Sequence, residues 1–156
     1  MKAIIYTKGD ATLPLAEGNK IIVHVCNDIG GWGKGFVMAI SKRWKEPEAK
    51  YREWHSSNRD FYLGEVQFVQ VENEIWVANM IGQHKINADN NGNPPIRYDA
   101  IANCLNKVAV FADEINASIH MPRIGCGLAG GNWEQIEPLI INNFSEKDID
   151  VTVYDF

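Results

Sequence analysis

The chain of 156 residues is long enough to bury a core without disulfide or metal staples. Its net charge of −5, with lysines and arginines scattered, excludes a broad nucleic-acid footprint, and no apolar run reaches membrane-spanning length. Three cysteines without a CxxC pair argue against a disulfide framework and for a reducing compartment, with the cytoplasm as the expected location.

Strands are predicted near 2–6 (KAIIY), 20–26 (KIIVHVC), 64–71, 74–81, 117–121 and 149–155, as short β-branched runs between turn signals. Helices are predicted near 35–43, 47–57, 98–114 and 133–144. In the third, Ile101, Leu105, Val108 and Ala112 recur at helical spacing and define a core face. FVQVENEIWV reads as an antiparallel hairpin turning at Glu72–Glu74. In the fourth helix Asn132 is the expected N-cap with Gln135 in capping-box position, and Pro138 predicts a kink or a late start. The polar run Asn87–Pro95 is a loop, expected to act as a mobile flap. The basic run SKRWK sits where a helix should end and suits its dipole. No repeat or linker divides the chain. Strands alternating with helices imply one α/β domain over 1–156: a mixed, mainly parallel sheet of about six strands covered on both faces.

Two loops carry the chemistry. CNDIGGWGKGF (Cys26–Phe36) and RIGCGLAGGN (Arg123–Asn132) each hold four glycines and run from a strand end to a helix start. Free N–H groups at a helix N-terminus attract anions, and glycine lets the backbone approach them closely, so a facing pair of such loops suits a diphosphate. Tight turning alone would also explain glycines in one loop. The first loop fails the Walker pattern, since Asp28 stands at its first glycine and Gly35 follows Lys34. GCGLAG matches GxGxxG, yet only one strand follows it. Asp10 in KGDAT is able to accept from an amino group such as that of adenine, or to close an Asx-turn. His24 and Cys26 share a strand face but lack a third ligand at suitable spacing, so no metal is expected.

KGDAT, HVCNDIGGWGKGF, MPRIGCGLAGGNWEQI and the closing DIDVTVYDF resemble a macrodomain, across nearly the whole chain and in order. They resemble most the branch of terminal ADP-ribose protein glycohydrolases and ADP-ribose-1″-phosphate-processing proteins. The resemblance implies a three-layer α/β/α fold that binds ADP-ribose along the crest of the sheet, with no cofactor. It implies that Asp10 meets the adenine amino group beside Ala11, and that Asn27 lies near the distal ribose. The diphosphate would be held by Gly33, Lys34, Gly35 and Phe36, and by Arg123, Ile124, Gly125, Cys126, Gly127, Leu128 and Ala129. Tyr154 and Phe156 would border adenine.

Glycohydrolases of that branch use a lysine that attacks the distal ribose and an assisting aspartate. Here Gln83 and Ala129 stand at those positions. Lys85 replaces the lysine only if the strand slides by two residues. The remaining polar candidates for catalysis are Asn27, Asp28 and His84, acting on a water held by the ligand's phosphates; a histidine suits proton transfer near neutral pH. Three functions stay open: a hydrolase of ADP-ribosylated protein or ADP-ribose-1″-phosphate, a non-catalytic ADP-ribose reader, and a nucleotide-dependent oxidoreductase using GCGLAG. The expected partner is ADP-ribose or an ADP-ribosylated substrate, with no nucleic-acid polymer and no membrane.

Overall fold

The computed structural model describes residues 1–156. Strands β1 (Ile5–Lys8), β2 (Lys20–Asn27), β3 (Val66–Glu72), β4 (Ile75–Gln83), β5 (Ser118–Met121) and β6 (Val151–Asp155) form one sheet in the order β1-β6-β5-β2-β4-β3. Only β3 runs antiparallel, through its hairpin with β4. Helices α1 (Phe36–Arg43) and α2 (Glu46–Ser57) cover one face; α3 (Tyr98–Ile115) and α4 (Trp133–Asn143) cover the other. No helix is long and apolar enough to cross a membrane.

β2 explains the layering. Flanked by β4 and β5, it alternates Ile21 and Val23 toward the α3–α4 layer with Ile22, His24 and Cys26 toward the α1–α2 layer. Ile101, Leu105 and Val108 of α3 are wholly buried in the larger core cluster. Truncating either of the first two to alanine is worth about 2–5 kcal/mol. The other cluster is richer in rings: Trp32, Trp44, Tyr51 and Phe61 pack between α1, α2 and the sheet.

The predicted elements match these within a few residues, with three corrections. The first strand begins at Ile5, later than the apolar run suggests. Its ladder is set by β6, Ile5 lying against Thr152, whereas the Lys2 N–H is drawn instead to the Ser145 carbonyl at 3.0 Å. α4 starts at Trp133, so Pro138 lies inside a helix that begins on time. Asn132 caps it through the Glu134 N–H at 2.8 Å, and Gln135 returns no side-chain bond, so the capping box is half made. The Asn87–Pro95 loop carries bonds of its own: Asp89 accepts from the N–H groups of Asn91 and Asn93 at 2.8 and 3.0 Å, and Arg97 donates to the Pro94 carbonyl at 2.9 Å.

Two histidines are buried uncharged. Burial holds His24 down at about 4, with Asn79 partly opposing; burial and then the Lys20 charge hold His120 at about 4. Unfolded histidine takes a proton near pH 6.5, so these groups cost no stability above that pH and progressively destabilise the fold between 6.5 and about 4. Urea midpoints should therefore fall steadily from pH 7 to pH 4.5. Midpoints that stay level over this window would show that neither imidazole is buried neutral.

Candidate functional site

Parallel strands point their carboxyl ends the same way, so the segments after β1, β6, β5, β2 and β4 gather on one crest in that order. Four strand spacings of about 4.8 Å separate β1 from β4, roughly 19 Å in all.

At the β1 end, Asp10 closes an Asx-turn. Its Oδ1 accepts from the Thr12 N–H at 2.8 Å and the Thr12 hydroxyl at 2.7 Å. Burial acts to raise its pKa, but the Thr12 bonds and Arg43 outweigh it, and the carboxyl sits below the usual range. Arg43 comes from the last turn of α1 and donates to the Thr12 hydroxyl at 2.6 Å, so the basic run braces this loop as well as the dipole. Asp10 Oδ2 meets only the Arg43 guanidinium, at 3.5 Å. Ala11 is buried. Tyr154 corrects an expectation: it is 2% exposed, and its hydroxyl accepts from the Leu15 N–H at 2.9 Å and meets His120 at 2.7 Å. It supports the loop from below and presents no ring to the crest. Phe156 is fully exposed beyond β6.

The first glycine loop is organised by Asn27. Its Oδ1 accepts from the N–H groups of Ile29 and Gly31 at 3.0 and 2.9 Å, and its Nδ2 donates to the Gly31 carbonyl at 2.9 Å. The Tyr51 hydroxyl donates to the Asn27 carbonyl at 2.5 Å and reaches its Oδ1 at 3.0 Å. Asn27 therefore shapes the loop and has little left for a ligand. Tyr51 is a functional residue the sequence reading missed, although Pro47, Tyr51 and Trp54 at helical spacing mark that helix's inward face.

In the second loop Ile124 and Ala129 are buried, so only their backbone is available. The Arg123 guanidinium is already engaged within the protein. It clasps Asp155 through two bonds of 2.8 and 3.0 Å and lies over the Tyr6 and Trp133 rings at 4.8 and 5.0 Å. The pairing raises the Arg123 pKa and lowers that of Asp155. Cys126 is half-buried, and Leu128 is exposed, reaching within 3.4 Å of where a Gly35 Cβ would stand. The two loops thus approach each other.

The glycines fall into two kinds. A Cβ on Gly131 would lie 2.3 Å from Ile96 and 2.5 Å from the Gly125 carbonyl oxygen, and one on Gly30 would strike His55 at 2.4 Å. Those glycines serve the fold. A Cβ on Gly33 or Gly127 meets nothing within 4 Å, and neither has a left-handed φ. The backbone N–H groups of Gly33, Lys34, Gly35, Gly127, Leu128 and Ala129 make no hydrogen bond in the protein. Lys34 is exposed beside them.

At the β4 end, Asp28 and His84 come together, Oδ2 to Nδ1 2.7 Å. Asp28 Oδ1 accepts from the Lys85 N–H at 2.7 Å. Gln83 is paired opposite Asn27 after a bulge, and its Nε2 donates to the Lys85 carbonyl at 2.9 Å. Lys85 lies outside β4 with a left-handed φ of 59°, so it does not take the place of Gln83 by a slide along the strand. His24 lies 3.7 Å from the Cys26 sulfur, and its Nε2 is engaged with Asn79 at 2.6 Å.

No family model matches the chain. A Bacteroides thetaiotaomicron protein of unknown function is 60% identical, with a TM-score of 0.98, over 99% of this chain and 98% of its own. A macrodomain protein from Streptomyces coelicolor is 55% identical over 99% of each chain, with a TM-score of 0.89. Chromodomain-helicase-DNA-binding protein 1-like from Danio rerio is 33% identical over 97% of this chain, which spans only 15% of that relative's length. An ADP-ribose 1″-phosphate phosphatase from Candida albicans is 26% identical over 86% of this chain and 89% of its own. The chain belongs to the macrodomain family. Its sheet order also lacks the doubly wound half that a GxGxxG dinucleotide fingerprint serves.

The two kinds of glycine predict opposite outcomes in urea denaturation. Gly131→Ala should cost about 1–3 kcal/mol through overpacking. Gly33→Ala and Gly127→Ala should stay within about 0.5 kcal/mol of the parent. Equal losses at all three positions would contradict the distinction.

Proposed function

We propose that the protein binds ADP-ribose along the crest. The observation that carries this reading is the pair of unbonded amide runs, Gly33–Gly35 and Gly127–Ala129, over space that the fold leaves empty at Gly33 and Gly127. Amides of this kind suit a diphosphate, with Lys34 adding charge and Phe36, Ile124, Gly125 and Cys126 completing the two walls, while the Arg123 side chain stays with Asp155. Asp10 Oδ2 would accept from the adenine amino group, with Ala11 beneath and Phe156 against the base. Asn27 keeps the first loop in shape under the distal ribose. The macrodomain neighbours and the ADP-ribose 1″-phosphate phosphatase relatives support this ligand.

The finer reading is hydrolysis: release of ADP-ribose from an acidic side chain, or of phosphate from ADP-ribose-1″-phosphate. A second reading, a reader without turnover, is favoured by Gln83 and the buried Ala129, which offer neither a nucleophile nor a carboxylate.

ADP-ribose should raise the melting temperature more than AMP at equal concentration, because AMP lacks the second phosphate and the distal ribose. Gly127→Val should abolish that rise while leaving the unliganded melting temperature nearly unchanged. Equal shifts for both ligands, or an undiminished shift in the variant, would remove the assignment.

Asp10→Ala should weaken ADP-ribose binding by about 1.5–3 kcal/mol through loss of a charge-assisted hydrogen bond. An analogue carrying hypoxanthine lacks the amino donor and should lose much less. Equal losses in isothermal titration would reduce Asp10 to the brace of its own turn.

A further inference from the structure

His84 stands at the end of the crest opposite Asp10, two strand positions beyond the second loop, where the distal ribose falls on the proposed reading. Its Nδ1 lies 2.7 Å from Asp28 Oδ2. An ionised carboxylate only accepts, so Nδ1 carries the proton and Nε2 presents a lone pair in the neutral ring. Nε2 has no partner in the protein, and the side chain is 46% exposed while Asp28 is 16% exposed. Asp28 is itself fixed, because the left-handed turn at Lys85 aims an N–H at its other oxygen at 2.7 Å. A non-glycine residue rarely adopts that conformation, so this local geometry is held against a backbone preference.

The imidazole also forms part of the wall of a hollow of about 450 Å³, shared with Ile29, Ile86, Asp89, Asn93 and Arg97. Arg97 is engaged with three backbone carbonyls, and Asp89 with its own turn. Lys85 is the neighbouring cation, exposed beside the ring. No other charged side chain lines the hollow; Arg52 lies on the far side of the first loop's turn, donating to the Gly30 carbonyl at 3.2 Å. The hollow gives the protein side of an ADP-ribosylated acidic residue a place to lie next to Nε2.

Resting on the ADP-ribose reading, we infer that His84 is the catalytic proton-transferring residue of this site and Asp28 its positioning residue. Nε2 takes a proton from water as the water oxygen bonds to the anomeric carbon of the distal ribose. The bond from that carbon to the acyl oxygen breaks, and its electron pair leaves on the carboxylate. The products are ADP-ribose and the free acid, and the imidazolium returns its proton to solvent. Asp28 faces the positive charge as it forms. A carboxylate leaves without being protonated, so one acid–base group suffices where an amine leaving group would need two.

The test is turnover of a glutamyl ADP-ribosyl peptide, with ADP-ribose affinity measured in parallel by calorimetry. His84→Gln should lower kcat at least about 100-fold and abolish the rise of rate with pH, with ADP-ribose affinity kept within about twofold. Asp28→Asn keeps one acceptor oxygen, for the Lys85 N–H, but loses the charge and the second acceptor that faces His84 Nδ1, and should lower kcat while KM stays level. If the parent binds ADP-ribose but does not cleave the peptide, or if His84→Gln keeps the parent's rate and pH profile, the catalytic assignment falls and the binding reading stands. Absence of ADP-ribose binding by the parent would remove both.

Discussion

A buried hydrogen bond between two layers shapes the crest. The Tyr51 hydroxyl, rising from α2, donates to the carbonyl of Asn27 where β2 ends. Burial raises the Tyr51 pKa well above its ordinary value, which keeps the hydroxyl a donor. With its carbonyl held, Asn27 spends its amide on Ile29 and Gly31 and so determines the path of the first glycine loop. A helix on one face of the sheet thus positions backbone amides above its edge. The second loop is set by packing: Gly125, Gly130 and Gly131 are pressed against Ile96, Ile136 and Pro94, leaving Gly127 to Ala129 as the projecting part.

This division gives the crest its chemical order. Acidic and aromatic groups lie at the β1–β6 end, unbonded amides in the middle, and the Asp28–His84 pair at the β4 end. The two-bond ion pair of Arg123 with Asp155 lies against Tyr6 and Trp133, so neither charge is spent on the central amides. At roughly two-fifths exposure on each partner that pair adds little stability. Its effect is to hold the arginine away from the loops.

Most of the architecture was legible in the sequence because each element carries its own period. The 3.6-residue spacing in α3 and the β-branched runs of β2 and β4 leave little choice. What was not legible depended on partners far along the chain. Ile4 and Ala3 look like strand, yet β6 decides where the β1 ladder starts. Tyr154 looks like an aromatic wall, yet alternation along β6 and a bond to His120 draw it under the surface. Both glycine loops were visible from composition. Which glycines the fold itself requires was not, since that depends on where Ile96, His55 and Pro94 lie. Asp28 and His84 were each singled out, but their pairing across 56 positions left no local pattern to read.

The central claim is that two runs of unbonded backbone amides are the ligand-recognising surface. Amide chemical shifts recorded during titration with ADP-ribose test it most directly. The account predicts the largest changes at Gly33–Gly35 and Gly127–Ala129, with smaller ones near Asp10 and His84 and little change along α3. Changes centred elsewhere, or saturable binding that leaves those six amides unmoved, would contradict it.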